Sequence, residues 1–198
     1  LEDLARAARA RSNAKILAVT GSAGKTTTKE ILRHALNGLG RTHVSAASYN
    51  NHWGVPLSLA SLPQDSEFGV FEIGMNHAGE IRNLVSFVRP HVAIITTIAP
   101  AHLEFFGNCE SIADAKSEIF EGLEPNGTAI LPLLNGVRHI DMLKERFGAK
   151  HVLGGMSVIN AALLPDGAIQ QSQVRIKMNY HGELDGTLSP RCTAIAHD

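Results

Sequence analysis

Cysteine is scarce in this 198-residue chain: there are two, Cys109 and Cys192, far apart and in no C-x-x-C pair. Their scarcity excludes a disulfide framework and a cysteine zinc site, and it fits a reducing compartment. Charge of either sign is not in excess. Eighteen basic against nineteen acidic residues leave a formal net charge of −1. Any anion must therefore be held by local geometry and not by an overall field, and neither nucleic acid nor a membrane surface is expected as a partner. No apolar run approaches the roughly 18 residues that span a bilayer, and the opening L-E-D-L-A-R-A-A-R-A-R lacks the apolar stretch of a signal peptide. The expected location is the cytoplasm. Internal repeats and low-complexity stretches are also missing. Aromatic residues make up only 5% of the chain, but 44% of it is apolar, enough for one sizeable core or one domain with an appendage.

What is present starts with I-L-A-V-T-G-S-A-G-K-T-T-T over residues 16–28, an apolar strand entering a glycine-rich turn that ends in lysine and threonines. A full G-x-x-x-x-G-K-[ST] pattern needs glycine where Val19 stands, so only the shorter T-G-S-A-G-K-T form exists. Gly21 and Gly24 let the backbone curl so that N–H groups of Ser22, Ala23 and their neighbours face phosphate oxygens. Lys25 adds a point charge, and Thr26, followed by Thr27, offers a hydroxyl for Mg²⁺. The following helix, over roughly 25–39, directs its positive end at the same anion.

Short β-branched runs alternate with helical patterns along the rest of the chain. Strands are expected over 16–20, 43–46, 68–73, 92–97, 128–131 and 151–153, and helices over 27–39, 79–88, 111–123 and 137–147. Apolar strands joined by helices require a mainly parallel sheet covered on both faces, a doubly wound α/β fold. From about residue 157 the texture changes to short segments around turns, which predicts an antiparallel β-hairpin extension. Residues 1–12 form a short charged helix read as a linker from an upstream domain, 13–155 the nucleotide domain, and 156–198 the extension. The closing R-C-T-A-I-A-H-D shows neither a helix cap nor a closing strand.

Ligands of such sheets sit beyond the carboxyl ends of the strands, and the unusual residues gather in those loops. Glu72 ends the third strand, where it is either a Mg²⁺ ligand or the cap of the following turn. His102, in A-H-L-E after the fourth strand, is a hydrogen-bonded loop residue or a metal ligand. Lys116 lies in S-I-A-D-A-K-S-E-I. It is either a solvated helix lysine or an active-site amine whose lowered pKa lets it take up CO₂ as a carbamate, converting a cation into an oxygen ligand. Asn50 and Asn51, beside His52 and Trp53, are amides for phosphate or substrate oxygens, or an Asx-rich turn over a buried Trp.

Four blocks occur in order: T-G-S-A-G-K-T-T-T-K-E, Y-N-N-H-W-G-V-P-L-S-L, E-I-G-M-N-H-A-G-E-I and A-P-A-H-L-E-F-F-G-N-C-E-S-I-A-D-A-K-S-E-I. Together, over roughly residues 13–155, they resemble the central ATPase domain of the Mur ligases, in the branch that joins D-alanyl-D-alanine to UDP-N-acetylmuramoyl-tripeptide. The resemblance implies ATP and Mg²⁺ as cofactors and a monomeric enzyme of peptidoglycan synthesis. It also implies γ-phosphoryl transfer to the tripeptide carboxylate, then attack by the dipeptide amine on the acyl phosphate. By the same resemblance Lys25 and Thr26 serve phosphate and Mg²⁺, Glu72 and His102 are metal ligands, and Lys116 is the carbamylated lysine. Asn50 and Asn51 line the cleft. Asn135, in L-N-G-V, keeps the asparagine of the family's adenosine contact without the aspartate that usually follows. Folylpolyglutamate synthetase shares the general layout. A nucleotide-binding module without ligase activity is the other reading.

Overall fold

The structure, a computed structural model, describes residues 1–46, 48–99, 103–125, 138–159, 161–163, 169–171 and 177–196. These fall into two compact units, Leu1–Thr128 and Ala129–Asp198. The division lies earlier than the 155/156 boundary expected from the change in sequence texture.

In the first unit, helix α1 (Glu2–Arg11) leads into strand β1 (Lys15–Thr20), followed by α2 (Lys25–Asn37), β2 (Thr42–Val44), α3 (Gly54–Ala60) and β3 (Phe68–Glu72). Helix α4 (Glu80–Val88), β4 (Val92–Ile95), α5 (Leu103–Phe106), α6 (Cys109–Ser117) and a 3₁₀ turn (Glu118–Gly122) complete it. The four strands form a sheet in the order β2-β3-β1-β4, every neighbouring pair parallel. Side chains of β1 alternate between its two faces. Ile16 and Ala18 join Phe71, Val55, Leu59, Ile81, Val85 and Ile119 in one apolar cluster, while Leu17 and Val19 join Val70 and, from α2, Leu32 and Leu36. Both faces are covered, which is the doubly wound arrangement expected from the two-sided apolar strands.

Residues 1–11 pack as part of this unit. Ala5 and Ala8 are buried. The buried Arg9 guanidinium donates to the carbonyls of Val88 (2.9 Å) and Arg89 (2.9 Å) and to Glu124 (3.1 Å), pinning α1 to the end of α4. One helix, expected over 111–123, is two pieces. Asn108 caps α6 by accepting from the Ser111 N–H at 2.8 Å, and the winding tightens to 3₁₀ at Glu118, where the chain is drawn against α4.

The second unit holds α7 (Arg138–Phe147), a 3₁₀ turn (Ala149–His151), two antiparallel strand pairs and a closing helix. The pairs are β5 (Gly154–Ile159) with β8 (Lys177–Gly182) and β6 (Ala161–Leu163) with β7 (Ile169–Gln171), as the hairpin texture predicted. Two expectations are corrected. Of the strand expected over 151–153, His151 closes the 3₁₀ turn entered through Gly148 at φ +83°, Val152 makes a lone bridge, and strand β5 begins only at Gly154. The terminal segment is a helix, α8 (Pro190–Ala196): Ser189 accepts the Cys192 N–H on its side chain and the Thr193 N–H on its carbonyl, with Pro190 at the first helical position. The strand expected over 128–131 lies outside the described residues. Among the described residues, no helix is long and apolar enough to cross a membrane.

Candidate active site

Register decides where the functional loops emerge. Val19 pairs with Glu72 and Thr20 with Ile95, so the loops after β1, β3 and β4 leave the sheet side by side at one edge. The loop after β1 turns at Gly21 (φ +149°) and Gly24 (φ +82°). At Gly21 glycine is required twice over, because a Cβ there would also lie 1.9 Å from Thr96 Oγ1. Thr96, the first residue after β4, donates to the carbonyl of Ala23 (2.5 Å) with Thr20 O at 3.2 Å. Ser22 completes the clip. Its N–H donates to Thr97 O (2.9 Å), its hydroxyl donates to Ala99 O (3.0 Å), and the Ala99 N–H donates back to that hydroxyl (3.1 Å). The Ser22 amide therefore faces the β4 loop and not an anion, contrary to the expectation that it helps line the cradle. Helix α2 starts at Gly24 with no side-chain cap, leaving its first-turn N–H groups as a ready anion site. Lys25 Nζ folds back onto Gly21 O at 2.8 Å, inside the loop. Thr27 is exposed on the same turn.

Glu72 is only 1% exposed and is held from two sides. Thr26 Oγ1 donates to one carboxylate oxygen (2.9 Å) and Asn50 Nδ2 to the other (2.8 Å). Asn50 is fixed in turn because its carbonyl accepts the Gly74 N–H at 2.6 Å, and a Cβ on Gly74 would come within 2.9 Å of the Asn50 side chain. Asn51 points to another task. Its Oδ1 accepts the N–H groups of Trp53 (3.1 Å) and Gly54 (2.9 Å), capping the start of α3, while Trp53 is 65% exposed rather than buried.

Lys116 sits in the last turn of α6 and is 3% exposed, so the solvated-lysine reading is overturned. Burial, and then the nearby Lys25 charge, push its amine down to about 8 from the usual lysine range. His102 and Asn135 lie outside the described residues. Among the described residues no three His, Cys, Asp or Glu side chains gather as a metal cage. Thr26 and Glu72 do present two hard oxygen donors in contact. That set fits Mg²⁺, which keeps several waters and shares phosphate oxygens instead of filling a protein cage.

Sequence reasoning missed Thr96, the partner that makes Gly21 obligatory; the T-T pair ending the fourth apolar run was its only signal. It also missed Glu118, which is 3% exposed.

A glycine loop clipped between two parallel strands, with a threonine–carboxylate pair beside it, defines the phosphate-loop class of α/β domain. The family described as Mur ligase middle domain matches residues 19–182, and the chain belongs to that family. The UDP-N-acetylmuramoyl-tripeptide–D-alanyl-D-alanine ligase of Rickettsia prowazekii is 44% identical over 135 residues, 68% of this chain and 30% of that protein. Among solved structures, MurF from Acinetobacter baumannii matches with a TM-score of 0.73 at 32% identity, over 92% of this chain and 41% of its own. MurF from Thermotoga maritima in complex with ADP matches with a TM-score of 0.67 at 29% identity, over 85% of this chain and 40% of its own. The chain spans less than a third of the length of that curated relative.

Proposed function

We propose that this chain is the nucleotide-binding domain of an ATP-dependent ligase that joins D-alanyl-D-alanine to UDP-N-acetylmuramoyl-tripeptide, making a peptidoglycan precursor in the cytoplasm as a monomer. One observation carries the reading: Thr26, Glu72 and Asn50 form a single hydrogen-bonded cluster beside the Lys25 loop. Phosphoryl transfer needs positioning and charge neutralisation more than a protein nucleophile, and this cluster is built for that.

The residues divide the work. The uncapped start of α2 and the Lys25 ammonium hold the β- and γ-phosphates, with Lys25 exchanging Gly21 O for phosphate oxygen. Thr26 and Glu72 hold Mg²⁺, joined by His102 and by Lys116 as a carbamate. When bound, the metal neutralises charge on the transferring phosphoryl group. Asn50 keeps the Glu72 carboxylate turned toward Thr26. Lys116 is prepared for carbamylation, since an amine near 8 is about one-quarter neutral at pH 7.5, against about one in a thousand for an ordinary lysine. In the reaction a tripeptide carboxylate oxygen bonds to the γ-phosphorus as the bond to ADP breaks. The dipeptide nitrogen, having lost a proton, then bonds to the acyl carbon and phosphate leaves. Ala23, Thr27 and Asn135 complete the nucleotide cleft, while Ser22 holds the loop against the β4 exit and Asn51 caps α3.

The test is phosphate release and product mass with the full-length protein. Release that requires ATP, Mg²⁺, UDP-muramoyl-tripeptide and D-alanyl-D-alanine together is expected. Release with a folate and glutamate instead would overturn the substrate assignment, and nucleotide binding without release under any amine would leave a binding module.

A further inference from the structure

Nothing within α6 explains why Lys116 stays buried, because the helix ends one residue later. The anchor is two residues further on. Glu118 is 3% exposed, an expensive place for a carboxylate unless its oxygens are satisfied. They are satisfied by another helix: one accepts the Gly79 N–H at 2.8 Å and the other the Arg82 N–H at 3.0 Å, with the Arg82 guanidinium at 3.6 Å. Helix α4 begins at Gly79, which has φ +88° and no side chain to offer, so its amino end is capped by a residue 39 positions away. Gly79 in turn lies only seven residues beyond Glu72, at the end of the loop that leaves β3. The Glu118 carboxylate thus ties the segment carrying Lys116 to the strand end carrying Glu72.

Two further contacts act along the same seam. Arg82 makes a bidentate pair with Glu121 at 2.6 and 3.0 Å, but both partners are solvent-exposed, so the pair contributes little holding force. Gly122 sits so close to α4 that a Cβ would lie 2.5 Å from the Val85 Cβ, which sets the spacing of the two elements but not their register. Glu118 is the buried, charge-assisted element, and it alone is two residues from the lysine.

Resting on the ligase reading above, we propose that Glu118 is a positioning residue: by capping α4 from the 3₁₀ turn, it fixes the segment that carries Lys116 to the loop that leaves β3 after Glu72. It touches neither nucleotide nor substrate and acts through Lys116.

The test has two arms. In CO₂-depleted buffer the whole chain is treated with trace acetic anhydride and lysine labelling is read by mass spectrometry. Lys29 serves as the internal control, since it is 1% exposed and hydrogen-bonded to Ser45 O at 3.0 Å. Glu118→Gln keeps the shape but presents an NH₂ to one of the two amides, so Lys116 labelling should rise about tenfold or more while Lys29 is unchanged. Glu118→Asp keeps the charge but reaches one amide; it should give a smaller rise, and it serves as the test if Gln destabilises the whole chain. No change at Lys116, or parallel rises at both lysines with Asp as well as Gln, overturns the proposal. In the full-length ligase, Glu118→Gln should lower kcat about tenfold at unchanged KM for ATP, and should add nothing in a Lys116→Ala background. Multiplying losses in that background overturn it too. A wild-type protein that ligates nothing would sink the ligase reading, and the labelling arm would still judge Glu118.

Discussion

Gly21→Ala is the sharpest single perturbation of the phosphate loop, because two independent penalties meet at one methyl group. The first is steric. The new Cβ would sit 1.9 Å from Thr96 Oγ1, 3.1 Å from Thr97 N and 3.2 Å from Thr96 Cβ, so Thr96 must rotate away. Rotation breaks the hydrogen bond that its single hydroxyl proton shares between Ala23 O and Thr20 O, at about 0.5–1.5 kcal/mol. The second is conformational: alanine at φ +149° costs about 1–3 kcal/mol. The sum is about 1.5–4.5 kcal/mol, which for a chain of this length lowers Tm by about 3–18 °C.

A cycle separates the two penalties. Thr96→Ala alone forfeits that shared hydrogen bond but removes the oxygen that collides, so Gly21→Ala in that background carries little beyond the conformational cost. The double variant should therefore be less destabilised than the sum of the singles by about 1 kcal/mol, read from thermal or urea unfolding of the 198-residue chain. Additivity within about 0.5 kcal/mol would refute the clip between the loop and the β4 exit. Nucleotide affinity, measured by calorimetry on the same four proteins, should follow the same non-additive pattern, since the loop is what the clip shapes.

Lys25→Ala should weaken Mg²⁺-ATP binding about tenfold to a hundredfold and abolish phosphate release by the full-length protein; wild-type release would contradict the phosphate-loop assignment. The neighbouring asparagines should behave differently. Asn50→Ala frees the Glu72 carboxylate and should lower kcat, whereas Asn51→Ala removes the α3 cap, costing about 1 kcal/mol of stability with nucleotide Kd within about twofold. For Lys116 the sign follows from its folded pKa of about 8, below the unfolded lysine value. Between that value and about 10.5 the unfolded chain binds more protons, so stability of the uncarbamylated protein rises with pH across this window and the penalty is fully present below it. Lys116→Met should thus be the more stable protein at pH 7 in CO₂-free buffer and lose that advantage by about pH 10, read from urea midpoints; a pH-independent difference would refute the buried-amine account.

The parallel sheet was legible because β1, β3 and β4 are apolar on both faces, a pattern with few other homes. The phosphate loop was legible for a local reason: its chemistry is contained in thirteen consecutive residues, 16–28. The break at Glu118 was not legible, because 111–123 carries helical periodicity throughout and what stops the α-helix is a contact with α4, distant in sequence. The closing helix was missed for a different reason. Its signal is Ser189–Pro190, an N-cap followed by the residue best suited to the first turn, which is short and follows directly on strand texture.

The pair of asparagines shows where spacing stops being informative. Adjacent in sequence and identical in type, Asn50 and Asn51 take unlike partners, one the buried Glu72 carboxylate and the other the first amides of α3. Neighbours in a turn can face opposite ways, and it is Asn50 whose carbonyl meets the Gly74 N–H just after β3, which sets its side chain on Glu72. The same reasoning applies to Lys116. Two residues beyond it Glu118 meets Gly79, and Gly79 closes the loop that leaves β3 beside β1. The candidate site is thus a property of strand register first and of its individual side chains second. A one-residue slip of β3 would therefore dismantle the site while leaving every motif in the sequence intact.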